Sequence, residues 1–151
     1  MKQSLVVFGL LFSIASWCQI NEKEDVQRAI KTFFQGFHAQ DTLALQNSVS
    51  KAMVLQNISK DSVGNTIVKS MPFNDFAIGI AGIPKTTKFE EKLKSFNIQV
   101  DGNMANAWTP YEFWLNDTFH HCGVNSFQLV KYGEDWKIVY LIDTRREQDC
   151  E

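Results

Sequence analysis

The 151-residue sequence lacks any excess of positive charge, since fifteen Lys and Arg stand against seventeen Asp and Glu. Neutralising a phosphate backbone requires a basic surface, so nucleic-acid binding is disfavoured as a main role. Glycine-rich phosphate loops, nucleophile elbows and dinucleotide fingerprints are also missing. No spaced set of Cys, His and Asp predicts a metal site, and no motif predicts a cofactor. The remaining composition, 44% hydrophobic and 13% aromatic, is that of one globular domain.

The first 18 residues predict a signal peptide rather than part of the fold. Lys2 is followed by an apolar run over 5–15, and small residues then precede the expected cut after residue 18. The run is too short to span a bilayer comfortably, so we expect no stable membrane span and a secreted or periplasmic domain of residues 19–151. Two alternatives remain open: lipoprotein processing at Cys18, which bulky Trp17 disfavours, and an uncleaved anchor.

Cysteine is scarce, and only Cys122 and Cys150 remain after that cleavage. Exported proteins fold in an oxidising compartment, where a pair of cysteines can form a disulfide. The pair is therefore a disulfide candidate that would tie the C-terminal tail to a late strand. Two free thiols are the alternative that the sequence leaves open.

The mature sequence divides into a helical half and a β half. Apolar residues recur at helical spacing after Asn21, whereas turn signals separate longer alternating segments after residue 88. The predicted helices cover 21–39, a short segment from Asp41 and 72–82, and the predicted strands cover 53–58, 66–69, 88–100, 104–115, 118–131 and 136–145. Helices gathered before an antiparallel meander predict an α+β fold, in which three helices cover one face of a curved sheet.

The turn at 116–117 sets the register of the two longest strands. It pairs Leu115 with Thr118, which brings Pro110 against Gly123. Proline cannot donate to the ladder and a strand glycine often marks a bulge, so we place a β-bulge at Gly123 and the cysteine before it.

This register predicts which side chains share a face. Glu112 lies opposite His121, and the polar face carries Trp108, Glu112, His121, Asp143 and Arg145. Tyr111 belongs to the opposite, apolar face. A shift of one residue would exchange these assignments.

The polar face contains the groups that could perform chemistry. His121 or Asp143 could abstract a proton next to a carbonyl, with Glu112 beside the histidine and Arg145 stabilising the oxyanion. A cross-strand ion cluster on an outer face or at a dimer contact is the commoner arrangement of such residues. Trp108 and Tyr111 could stack on a ligand, but they point to opposite faces, so at most one lines a given cavity.

Three segments resemble a known superfamily. They are Trp-Thr-Pro-Tyr-Glu-Phe at 108–113, His-Cys-Gly-Val-Asn-Ser-Phe at 121–127, and the stretch from Trp136 to Arg146. Together with the element order, they resemble the nuclear transport factor 2-like superfamily, and within it an exported bacterial branch described as SnoaL-like or lumazine-binding. The resemblance covers about 22–150 and implies a cone-shaped α+β domain with a pocket. It implies no particular reaction, because members of this fold include isomerases, dehydratases and proteins that only bind.

We therefore expect an exported domain that binds a small, partly apolar or heteroaromatic molecule without a cofactor. The alternative is a cofactor-free lyase or isomerase that uses His121 with Asp143 or Glu112. A structural domain with a filled cone is the third interpretation. A homodimer is also expected, because the apolar side chains of the sheet exceed what three helices can cover.

Overall fold

The computed structural model describes the chain over residues 4–150 and its side chains over residues 21–150. The predicted signal peptide, its cut and Cys18 lie outside the part whose side chains are described. Within 4–150 the helices are α1 Ser4–Ala39, α2 Thr42–Ser48 and α3 Phe73–Ala81, and the strands are β1 Val49–Lys60, β2 Thr66–Met71, β3 Phe89–Leu93, β4 Asn97–Asp101, β5 Met104–Leu115, β6 Thr118–Tyr132 and β7 Asp135–Thr144. This order confirms the α+β prediction. The first helix, however, begins at Ser4 rather than at Asn21.

The apolar stripe of α1 rests on the concave face of the sheet. Val26, Ile30 and Phe33 are almost completely buried there. The carboxylate of Glu22 accepts hydrogen bonds from Lys131 Nζ at 2.7 Å and from Trp136 Nε1 at 3.1 Å. These bonds fix the helix against β6 and β7.

The strands form one curved, unclosed sheet in the order β2-β1-β7-β6-β5-β3, and β4 pairs with the other end of β5. Every pair is antiparallel except β1 with β7, which run parallel. The segment 88–100, predicted as one strand, is divided into β3 and β4. The break falls opposite Pro110, whose ring nitrogen has no hydrogen to donate to the ladder.

Two bulges set the faces of β5, β6 and β7, and neither lies at Cys122–Gly123 as predicted. The register shifts at His120, between the pairs Phe113–His121 and Trp114–Phe119. A second shift leaves Val139 of β7 without a direct partner in β6. Each bulge moves the residues beyond it to the opposite face, so the predicted face assignments were wrong around His121 and Asp143.

Gly123 serves a different purpose from the predicted bulge. It lies opposite Tyr111, and a Cβ at this position would stand 1.9 Å from the Thr144 carbonyl oxygen. Glycine therefore lets the end of β7 pack directly on β6.

The structure contains a disulfide between Cys122 and Cys150, which are separated by 28 positions in the sequence. Cys122 and Arg146 also exchange two backbone hydrogen bonds of 2.9 Å. The C-terminal tail is thus held on β6. A loop of this length stabilises the folded state by about 3.5 kcal/mol on the chain-entropy account.

Among residues whose side chains are described, no helix is long and apolar enough to cross a membrane.

Candidate functional site

A cavity of about 720 Å³ lies between the helices and the concave face of the sheet. Aliphatic side chains and six phenylalanines form most of its wall; the phenylalanines are Phe33, Phe34, Phe37, Phe76, Phe89 and Phe113. Several of these rings contact one another edge-to-face or in parallel, as Phe37 does with Phe89 at 5.0 Å and with Phe76 at 5.9 Å. The wall is therefore apolar and suited to a flat or aliphatic body.

Most of the polar side chains that line this cavity form one group, which extends from the sheet; Gln56, Lys69, Ser70 and His120 line it elsewhere. We call this group the polar corner; it consists of Asn57, Glu91, Tyr111, His121, Asn125, Asp143 and Arg145. The sheet register explains the clustering, because Asn57 and Asn125 both pair with Asp143 from the strands on either side. Three neighbouring strands thus present one polar residue each at the same level of the same face.

Asp143 is the centre of the hydrogen bonding in the polar corner. Its Oδ2 accepts from Asn57 Nδ2 at 3.0 Å and from Arg145 Nε at 3.1 Å. The Tyr111 hydroxyl lies 3.5 Å from the same oxygen and donates to the Thr144 carbonyl at 2.9 Å. Burial is the main cause of the raised pKa of Tyr111, and the nearby acids Glu91 and Asp143 raise it further. The side chain therefore stays a neutral phenol.

Glu91 reaches the polar corner from β3. Its Oε1 accepts a hydrogen bond from Asn125 Nδ2 at 2.6 Å, and its backbone N–H donates to His38 Nε2 at 2.9 Å. Glu91 lines the cavity and is half-buried. Burial, assisted by the charge of Asp143, raises the pKa of Glu91 to about 8. The carboxyl group is therefore mostly protonated at neutral pH.

His121 is buried among aromatic rings. Its ring stacks on Phe113 with centroids 4.9 Å apart, and its Nδ1 lies 2.9 Å from Nδ1 of His120. Burial, followed by the positive charges of Arg145 and His120, lowers the pKa of His121 to about 4. The imidazole is therefore neutral at pH 7. In the described part of the chain, its side chain makes no hydrogen bond with a carboxylate.

Two of the sequence-predicted site residues lie away from the cavity. Glu112 pairs with Cys122 rather than His121, and its carboxylate binds Lys94 Nζ at 2.7 Å on the other face of the sheet. The predicted Glu112–His121 couple is wrong because the bulge at His120 turns the two side chains to opposite faces. Trp108 is 54% exposed and does not line the cavity, whereas Tyr111 does.

Sequence reasoning missed Glu91, Asn125 and Asn57. Asn125 belongs to one of the motifs that carried the resemblance, but its neighbours in space come from strands whose register was unknown. Within residues 21–150, no group of three side chains is arranged to hold a metal ion.

Three helices packed on a curved, open sheet with a cavity between them define the nuclear transport factor 2-like, or cystatin-like, fold. A nuclear transport factor 2-like protein from Shewanella baltica is 14% identical, with a TM-score of 0.63 over 85% of this chain and 97% of its own. One from Novosphingobium aromaticivorans is 16% identical, with a TM-score of 0.66 over 92% of each chain. A provisionally named dehydratase from Streptomyces avermitilis is 14% identical, with a TM-score of 0.64 over 83% of this chain and 96% of its own.

At these identities the similarity concerns the fold alone. No family model matches the sequence, and no curated protein matches it.

Proposed function

We propose that this chain binds a small, partly apolar molecule in the cavity, without catalysis. The observation that carries this proposal is a roomy apolar cavity of about 720 Å³ with the polar corner in its wall. Protein interiors are otherwise packed to crystal-like density, so a structural domain with a filled cone would not leave this space. A flat heteroaromatic ligand, as implied by the resemblance to the SnoaL-like or lumazine-binding branch, fits such walls.

A variant that fills the cavity tests this proposal. Leu55 lines the cavity, whereas Leu43 is 65% exposed on α2. Native mass spectrometry of protein purified from its own cells should detect a bound small molecule on the wild type and on Leu43→Trp. The same molecule should be absent from Leu55→Trp. Equal retention by both variants, or an empty wild type that binds no flat apolar compound, would contradict the proposal.

Export belongs to the same proposal. The disulfide between Cys122 and Cys150 supports folding in an oxidising compartment, which fits a cleaved signal peptide at residues 1–18. The mass of the mature protein distinguishes the cases. A chain beginning at Gln19 supports export in free form, a lipid adduct at Cys18 supports lipoprotein processing, and an intact N-terminus contradicts cleavage.

We also propose a homodimer formed through the outer face of the sheet. Met104, Trp108 and Tyr132 are each more than half exposed on that face. Exposed apolar side chains of this size often mark an interface. Light scattering after size-exclusion chromatography should give twice the chain mass, and Trp108→Lys should reduce it. A monomeric wild type would contradict the proposal.

A cofactor-free lyase or isomerase is the second candidate function. Its support is that His121 and Asp143 line the same cavity and that the pKa values of Glu91 and His121, which also lie there, are displaced. Glu112 has no part in it, because its carboxylate lies on the other face. Exchange of the α-protons of 2-tetralone in D₂O tests this function. Catalysed exchange that Asp143→Asn abolishes would favour the enzyme, and no exchange above buffer would favour the binder.

A further inference from the structure

The charges of the polar corner cancel within the protein. Asp143 and Arg145 form an ion pair at 3.1 Å, and Asn57 donates a further hydrogen bond to the same carboxylate oxygen. His121 is neutral at pH 7, and so is most of Glu91. A ligand with a charged end would therefore find no uncompensated opposite charge in the polar corner, and it would have to give up its hydration there for neutral partners. Lys69 also lines the cavity, but it is an exposed residue outside the polar corner.

The geometry of Glu91 indicates which of its oxygens is free to carry the proton. Asn125 Nδ2 is a donor, so the oxygen it contacts at 2.6 Å, Oε1, must act as an acceptor. The proton of the carboxylic acid then belongs on Oε2. Among the described residues, no side chain or backbone group makes a hydrogen bond with Oε2. Glu91 lines the cavity, so this O–H is available to a ligand.

We propose that the cavity selects ligands whose polar end is an uncharged carbonyl oxygen, which accepts a hydrogen bond from Oε2–H of Glu91. The inference rests on the proposed binding function and adds the chemical class of the ligand. A carboxylate end or an ammonium end would meet the Asp143–Arg145 ion pair, in which each charge already has a partner.

Several titratable or charged groups on the packed elements contact Glu91 or line the cavity with it. They are His38 on α1, Lys69 on β2, Tyr111 on β5, His121 on β6, and Asp143 and Arg145 at the end of β7. Burial and Asp143 hold the proton on, whereas Arg145 and the Asn125 hydrogen bond favour its loss. The balance raises the pKa of Glu91 to about 8. Carbonyl binding should therefore weaken above this pH.

Three probes that share a naphthalene body separate the classes of ligand. They are 2-acetylnaphthalene, 2-naphthoate and 2-naphthylmethylammonium, and their affinities can be compared by calorimetry at pH 6.5. We expect the ketone to bind the wild type at least about tenfold more tightly than either charged probe, a difference of about 1.4 kcal/mol.

Three variants at β3 test the role of Glu91. Glu91→Gln keeps a donor and should keep the ketone affinity within about threefold, while Glu91→Leu should lose about tenfold. Glu90→Gln, at an exposed neighbouring position, is the matched control and should bind like the wild type. Raising the pH to 9 should weaken ketone binding by the wild type but not by Glu91→Gln. The glutamine variant keeps the test valid if the leucine variant folds poorly.

The outcomes separate this inference from the function on which it rests. Tightest binding of a charged probe, or unchanged ketone affinity in Glu91→Leu, would overturn the carbonyl inference and leave a binding protein. Failure of all three probes to bind the wild type would overturn the proposed function and this inference together.

Discussion

Replacing Gly123 by alanine should disrupt the contact that holds the end of β7 on β6. The added Cβ would stand 1.9 Å from the Thr144 oxygen, 2.9 Å from the Thr144 carbonyl carbon and 2.8 Å from Tyr111 Cε1. Two of these atoms belong to the backbone, so no side-chain rotation relieves the overlap. The Thr144 carbonyl would have to move by more than about 1 Å to restore ordinary contact.

The cost can be worked out from what this movement breaks. Overpacking of a dense interior costs about 1–3 kcal/mol, and loss of the Tyr111–Thr144 hydrogen bond adds about 1 kcal/mol. For a domain of this size, a total of about 3 kcal/mol lowers the melting temperature by about 10 °C. Thr144 lies between Asp143 and Arg145, so ligand affinity should fall as well.

Thermal and urea unfolding followed by circular dichroism measure this effect. Gly79→Ala is the matched control, because a Cβ at Gly79 on α3 meets nothing within 4 Å. This control should be neutral or more stable by up to about 1 kcal/mol, since alanine is the better helix former. A Gly123→Ala protein that melts within about 2 °C of the wild type, where about 10 °C is expected, would refute the β6–β7 register described above.

Three further predictions follow from individual contacts. Cys150→Ser should lower the free energy of unfolding by about 3.5 kcal/mol without reductant, and equal melting of variant and wild type under those conditions would contradict the loop-closure account. The pKa of Glu91 is raised from its ordinary 4.5 to about 8, so the folded state retains a proton that the unfolded chain loses between these values. The free energy of unfolding should therefore fall, relative to that of Glu91→Gln, by up to about 1.4 kcal/mol per pH unit as the pH rises through this window. Urea titrations at pH 5, 6.5 and 8 measure this difference. The same pH dependence in both proteins would show that the carboxyl group has an ordinary pKa. Asp41 accepts hydrogen bonds of 3.0 Å from Leu43 and Ala44 at the start of α2, so Asp41→Ala should cost about 1 kcal/mol in the same assay, and no loss would show that the cap is dispensable.

The parts of the fold that depend on local sequence could be predicted. The turn at 116–117 correctly gave the pair Leu115–Thr118, because a two-residue connection determines its own register. The apolar stripe of α1 and the bounds of the last three strands were also close to the structure. These features are encoded over a few neighbouring residues.

The bulges could not be located from the sequence. Pro110 and Gly123 suggested a bulge at the wrong place, because the glycine is required by Thr144, which is distant in the chain. The actual bulges at His120 and Val139 carry no glycine or proline signal. Since one inserted residue exchanges the two faces, missing these bulges led to the wrong pairing of Glu112 with His121 and hid the inward direction of Asp143.

Glu91 was missed for a related reason. Alternation along 88–100 gives its side-chain direction only when the neighbouring strand is known, and the raised pKa arises from burial against helices far away in the sequence. A half-buried acid that shares a cavity with Phe37 and Phe89 and binds Asn125 is a tertiary property. Once the register is known, Glu91 follows directly from its pairing with Phe113.

A methyl-labelled NMR titration with 2-acetylnaphthalene examines the occupied cavity most directly. We expect shifts at Leu55, Ile80 and Leu141, which line the cavity, and none at exposed Val63 or Leu43. Intermolecular contacts from the probe to those three methyl groups would support the account. Shifts confined to the surface, or no shifts at saturating probe, would contradict it.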